Sequence, residues 1–233
     1  MTEEFDFEKP AGDAPIPHKL HISVLDVKNE TEEQRKRRML LQMQPLVQSC
    51  SLCPLGRQPC LEHDSKFDPH VFSTMNVSPW LICGQNPGFN ECLEHEPFVG
   101  EAGRFFNEWI EKGGLSRSKF YITNCVLCHT LNNEPPTPEQ IEMCSIFLKM
   151  EILILEPILV ITLGAAPFSA FCPNLNYAAS LGKIQESKRF NCQVFPIYHP
   201  SPRNMTNLDR LVKFKKDVKT LCKLIKAYEL REG

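Results

Sequence analysis

The chain contains no apolar run of the roughly 18–20 residues that a membrane-crossing helix needs. A bundle of membrane-spanning helices is therefore excluded, and no membrane partner is expected. The first residues also lack the basic stretch and following apolar segment of a secretory leader, because Met1-Thr2-Glu3-Glu4-Phe5-Asp6 is acidic. The expected location is intracellular, cytoplasmic or nucleoid-associated. Nor does one sign of charge dominate: the formal net charge is −2. That small number conceals an asymmetry. From Lys183 onward there are twelve Lys/Arg and five Asp/Glu, a net of +7, which leaves −9 on the remainder. A basic C-terminal quarter suits contact with a polyanion, although a solvated helix face would give the same count. Disulfides are not expected either. The eleven cysteines are odd in number, and an intracellular environment keeps thiols reduced. Clustered thiols then read as ligands of a metal or cluster. Cys83, Cys92, Cys172, Cys192 and Cys222 are scattered and suit apolar packing.

What is present fits one domain with an arm, since 233 residues with 42% apolar content can bury a substantial core. Residues 1–28 are rich in Pro and acid without a sustained period, and read as an arm that is flexible or loosely docked. Residues 29–233 form the expected domain. Asn29 or Thr31 is placed to cap a helix starting near Glu32, whose apolar residues Met39, Leu40, Met43, Leu46 and Val47 repeat at helical spacing. Short apolar runs near 80–83, 120–123, 158–163 and 194–198 read as buried strands. Helical patterns near 103–112, 138–155 and 166–171 lie between them, and a last one near 208–228 turns Leu211, Val218, Leu221 and Ile225 inward. The alternation predicts an α/β fold: a three-layer α/β/α sandwich around a central, mainly parallel four-stranded sheet. Ligands in such folds bind beyond the strand C-termini. Gly84-Gln85-Asn86-Pro87-Gly88, Asn124, Gly164 and His199 follow the four strands in that order.

These segments resemble the uracil-DNA glycosylase superfamily. The stretch from Gly84 to Gly103 is similar to the iron–sulfur (family 4) members, whose GxxPG turn is followed by PFVGxAG, here Pro97-Phe98-Val99-Gly100-Glu101-Ala102-Gly103. The segment Tyr121-Ile122-Thr123-Asn124, through Cys128, to Pro136-Thr137-Pro138-Glu139 and Cys144 follows the same family. So does Cys50-x-x-Cys53-Pro54-Leu55, and the similarity covers about residues 45–228. Two places depart from it. Gln85 stands where family 4 usually has Glu, and His199-Pro200-Ser201-Pro202-Arg203-Asn204 replaces the usual HPSY. Both resemble the single-strand-selective monofunctional (family 3) members, with GxNPG and HPSPRN. The chain thus resembles a hybrid of family 4 cysteines and family 3 chemistry loops.

A base inside a duplex is out of reach, so an enzyme acting on its glycosidic bond must extrude the nucleotide into a pocket. The resemblance implies that Phe98 stacks on the base, where an unrelated chain would simply have a core phenylalanine. It places Asn124 on the uracil edge: an amide pairs with O4 and N3–H and is mismatched to cytosine. His199 matches the residue that donates to O2 as negative charge collects there, and Asn86 the residue that orients the attacking water. An amide orients water but does not take its proton as a carboxylate does. Gly84 and Gln85 complete the base-binding turn, the latter through its backbone N–H. The loop Ser201-Pro202-Arg203-Asn204-Met205 is the implied DNA wedge, with Lys213, Lys215, Lys216 and Lys219 as further phosphate contacts. No lysine nucleophile falls in these motifs, so hydrolysis without lyase activity is expected.

Cys50-x2-Cys53 is a thiolate pair of the kind that zinc and iron–sulfur sites use. Cys125-x2-Cys128 would complete a zinc pattern, whereas Cys128 and Cys144 match the iron–sulfur family. The ligand set taken forward is Cys50, Cys53, Cys128 and Cys144 around a structural 4Fe-4S cluster, with zinc as the alternative. The expected function is removal of uracil, or of 5-substituted uracils such as hydroxymethyluracil, from single- or double-stranded DNA by a monomer. Two other readings compete. One is a catalytically silent DNA-binding homologue acting as a damage reader or replication partner, favoured by Gln85 and Asn86 in place of carboxylates. The other is an electron carrier, which explains the cysteines and leaves the pocket motifs idle.

Overall fold

The computed structural model describes residues 2–6, 19–23, 29–57, 60–62 and 65–232. Strands β1 (Trp80–Gly84), β2 (Tyr121–Asn124), β3 (Leu159–Leu163), β4 (Gln185–Ser187) and β5 (Cys192–Ile197) form one sheet in the order β2-β1-β3-β5-β4. The four longer strands are parallel to their neighbours, and β4 lies antiparallel on β5. The expected α/β class and mainly parallel sheet are therefore present, with a fifth strand at one edge that the sequence reading lacked. Gln185-Glu186-Ser187 is three residues long and polar, so it carries no apolar alternation to read.

Alternation along the strands explains the layers. Leu81, Cys83, Tyr121, Val160 and Val194 face one core, under α1 (Glu32–Gln48), α3 (Pro138–Leu155) and α4 (Ala165–Phe171). Trp80, Ile82, Ile122, Ile161, Phe195 and Ile197 face the other, under α2 (Glu101–Lys112) and α5 (Leu208–Glu232). The helices start where capping chemistry says they should. Thr31 and Gln34 form a reciprocal capping box on α1, and Thr137 and Gln140 do the same on α3, with Pro138 in its first turn. Met39, Leu40, Met43 and Val47 are buried as their spacing predicts, and Cys83, Cys92, Cys172 and Cys222 fill apolar space. Among the described residues no helix is long and apolar enough to cross a membrane.

Of the N-terminal arm, Thr2–Asp6 and Lys19–Ser23 pair as an antiparallel ribbon; residues 7–18 and 24–28 lie outside the described residues. The strand order places the binding edge. The chain steps from β1 to β2 on one side and then crosses β1 to reach β3 on the other, so β1 sits at the point where the direction reverses. Gly84 and Asn124 are register partners there, and a crevice opens beyond them.

Candidate active site

The β1 end is built so that two distant side chains can meet. A Cβ on Gly84 would overlap Asn124 Oδ1 and lie 2.5 Å from the Phe98 ring. The following turn is fixed by the chain after β2. Cys125 and Val126 donate their N–H groups to the Gly84 and Gln85 carbonyls at 2.9 and 3.0 Å. His129 Nδ1 lies 2.8 Å from the Pro87 carbonyl, so this nitrogen carries the proton. The Asn86 amide nitrogen donates to Pro87 O and Thr130 Oγ1, both at 3.0 Å, while its oxygen accepts from Gln85 Nε2 at 3.0 Å.

Phe98 is buried and holds a backbone φ of +57°, a conformation that costs a bulky residue roughly 1–3 kcal/mol. Its motif explains part of how this is accommodated. A Cβ on Gly103 would overlap the Phe98 carbonyl, so the last glycine of PFVGxAG is there to let that peptide in. The Phe98 ring lies 6.4 Å from the His199 imidazole, tilted by 43°.

Asn124 is 3% exposed, and its Oδ1 has no hydrogen-bond partner among the described residues. Such an atom is costly unless something arrives to pair with it. His199 is half-buried, and desolvation pushes its pKa down to about 4, so the imidazole is neutral at pH 7. Gly164, at φ +104°, allows β3 to come within 3.2 Å of the His199 Cβ where a side chain would stand. Asn204 Nδ2 donates to the His199 carbonyl at 3.1 Å, and Arg210 Nη1 holds Asn204 Oδ1 at 2.8 Å.

These residues surround one cavity of about 740 Å³, lined among others by Gln85, Asn86, Phe98, Asn124, His199, Ser201, Pro202, Arg203 and Asn204. Gly84 lies behind its wall. Met205 does not reach it: its side chain packs against the core beneath α2 and α5. Pro202 and Arg203 are the exposed members of that loop. Lys213 binds Asp217 and the Leu181 carbonyl, and Lys215 lies 4.7 Å from the Trp109 ring centroid. Sequence reasoning missed Glu91, His129, Thr130, Tyr177 and Arg210, which brace or line the cavity from outside the conspicuous motifs. Glu91, His129 and Thr130 fell within the segments that carry the resemblance.

Of the four cysteines, Cys50 and Cys144 pack against the sheet's first core. Cys50 lies two residues beyond α1, Cys53 precedes a short helix, Cys128 follows β2 and Cys144 sits on α3. Desolvation raises the thiol pKa of Cys50, Cys128 and Cys144. Next in effect on Cys128 are the neighbouring Cys53 and Cys50, and Cys144 feels both Cys128 and Cys50. Thiols that raise one another in this way lie within each other's field. Cys50, Cys53, Cys128 and Cys144 are soft donors that suit a thiolate-bound group, although among the described residues no set of three or more ligating side chains is drawn into a metal-holding geometry. Cys125 points elsewhere, its Sγ donating to the Gln85 carbonyl at 3.1 Å, and burial pushes its pKa up to about 12. Asp68 binds His70 Nδ1 at 2.6 Å, and His70 Nε2 lies 3.0 Å from the Cys50 carbonyl.

The family model described as the uracil DNA glycosylase superfamily matches residues 72–223. The chain is similar to the type-4 uracil-DNA glycosylase of Archaeoglobus fulgidus, at 37% identity over 163 residues, 66% of this chain and 78% of that protein. It is 32% identical over 174 residues to the type-4 uracil-DNA glycosylase of Thermotoga maritima, covering 71% of this chain and 85% of that one. With the protein of the same name from Saccharolobus solfataricus it shares 36% over 129 residues, 52% and 60% of the two chains.

Proposed function

The chain belongs to the uracil DNA glycosylase superfamily, and from that premise we propose that it extrudes uracil from DNA into this cavity and hydrolyses its N-glycosidic bond. One observation carries the reading. The Asn124 amide is almost wholly buried beside the Phe98 ring, with its oxygen unpartnered. Uracil supplies the missing donor through N3–H and accepts from Nδ2 through O4, while its face lies on Phe98. Cytosine presents the reverse pattern and would leave both groups mismatched.

In the proposed reaction the C1′–N1 bond breaks and its electron pair leaves with the base, collecting chiefly on O2. The neutral His199 imidazole donates a hydrogen bond there, a contribution of about 2.7–4 kcal/mol by analogy with other oxyanion donors. Water attacks C1′ and loses its proton to solvent. Both N–H groups of Asn86 are engaged and its oxygen accepts from Gln85 Nε2, so the water is held through the second lone pair of that oxygen. Among the described residues no lysine lines the cavity, which supports direct hydrolysis to an abasic site. In this reading Arg203, exposed beside Pro202, fills the vacated stack or grips a phosphate. Cys50, Cys53, Cys128 and Cys144 would hold a 4Fe-4S cluster, with zinc as the alternative. When bound, the group supplies a cross-link between α1, α3 and the β2 loop, and hydrolysis draws no electrons from it. We take the working form to be an intracellular monomer.

A second reading, a silent DNA reader, is favoured by the Asn86 amide, which has no proton-accepting power and is hydrogen-bonded on both ends. The test uses labelled oligonucleotides carrying one uracil or one 5-hydroxymethyluracil, single- and double-stranded, followed by alkaline cleavage. Uracil release that disappears in His199→Ala and Asn124→Ala is expected. Tight DNA binding by intact protein with no release from any substrate would favour the silent reader.

A further inference from the structure

Outside the pocket motifs, one side chain holds the backbone that aims Phe98. Arg117 stands in the turn Arg117–Lys119 that leads into β2. Its Nη2 donates to the Pro97 carbonyl at 2.5 Å and to Glu96 Oε1 at 2.9 Å, and its Nη1 donates to the Phe98 carbonyl at 3.1 Å. The Pro97 and Phe98 carbonyls belong to the two peptide planes on either side of the Phe98 Cα. A rigid guanidinium that binds both fixes the angle between those planes, and so fixes φ and ψ of Phe98. Those angles include the +57° that Phe98 would not adopt unaided. On the far side of the loop, Glu91 Oε1 accepts the Gly100 N–H at 2.8 Å. Arg117 thus joins the entry of the strand that ends in Asn124 to the loop that carries the ring.

We propose that Arg117 is a positioning residue for base stacking, holding Phe98 in the left-handed conformation that turns its ring onto the Gly84–Asn124 floor. The proposal rests on the glycosylase reading above. Arg117 does not line the first cavity: its side chain is 23% exposed and borders a separate cavity of about 690 Å³ with Glu96 and Pro97. Its loss therefore leaves DNA contacts in place and releases the ring to sample extended backbone. A misplacement of about 1 Å at a reacting centre is enough to cost roughly 100-fold in rate.

The experiment compares native protein, Arg117→Ala, Arg117→Lys and Phe98→Ala on a single-stranded uracil oligonucleotide. In Arg117→Ala, kcat should fall about 10- to 100-fold, while affinity for a uracil-free strand stays within about twofold. Guanidinium ion at low millimolar concentration reaches the second cavity and should restore activity to Arg117→Ala but not to Phe98→Ala, a rescue that a general loss of stability does not give. A lysine offers no planar fork to span both carbonyls, so Arg117→Lys should remain impaired, and it serves if the alanine variant does not fold. A kcat within twofold of native in both Arg117 variants would overturn the proposal. If native protein releases no uracil, the glycosylase reading fails by itself. Nuclear Overhauser contacts between the Phe98 ring and Gly84, expected in native protein and lost in Arg117→Ala, then decide the clamp; their persistence in the variant would overturn it.

Discussion

Gly84 has no side chain, yet two side chains of the pocket depend on it. The space its Cβ would occupy is taken by Asn124 Oδ1 and the Phe98 ring. Neither neighbour is the free end of a flexible chain. Asn124 is packed at the end of β2, and Phe98 is buried in a loop of fixed backbone. Gly84→Ala should therefore displace the base-reading groups by a few tenths of an ångström or more while leaving the sheet intact. We expect kcat/KM on uracil DNA to fall about 100-fold with only a small change in melting temperature. Activity kinetics and a thermal melt on the same preparation check this, and near-native kcat/KM would show that the floor of the pocket yields freely.

At the scale of an element, α3 carries a charge-bearing group where its surroundings are apolar. Glu151 is fully buried between the helix and β2, accepting from Tyr121 Oη at 2.8 Å and from Ser73 Oγ, which also meets Thr123 Oγ1 at 2.7 Å. Its second oxygen has no partner among the described residues. Desolvation, opposed by these hydrogen bonds, raises its pKa from 4.5 to about 7. The folded state then holds this proton more tightly than the unfolded state does. Stability contributed by the protonated carboxyl is complete below about pH 4.5 and declines as pH rises to about 7, by up to roughly 3 kcal/mol. Glu151→Gln keeps the shape without the titration, so it should raise the melting temperature at pH 8 relative to native and do so far less at pH 5. Equal shifts at both pH values would contradict the account. The helical pattern near 138–155 placed α3 correctly, but periodicity gave no hint of a buried acid. Which face of α3 meets the Tyr121 hydroxyl is a matter of packing against β2.

Across the whole molecule, the cysteine site joins parts that are far apart in the chain: the end of α1, the loop after β2 and the middle of α3. If these thiols bind a cluster or ion, its loss unties three elements at once. Cys144→Ala should lose bound iron, or zinc, by elemental analysis and melt lower by about 10 °C, equivalent to a few kcal/mol in a chain of this size. Unchanged metal content and melting would remove Cys144 from the ligand set. By itself the sequence determined the α/β class, the start of α1 near Glu32, the span of α3, and the position of each pocket motif at a strand end. These follow from local periods and backbone chemistry, which neighbouring residues carry between them. The edge strand β4, the inward packing of Met205, the engagement of both ends of the Asn86 amide and the Arg117 clamp were decided only in the tertiary structure. Arg117 and Phe98 are nineteen residues apart, and no local repeat registers a hydrogen bond formed only after β2 has docked beside β1.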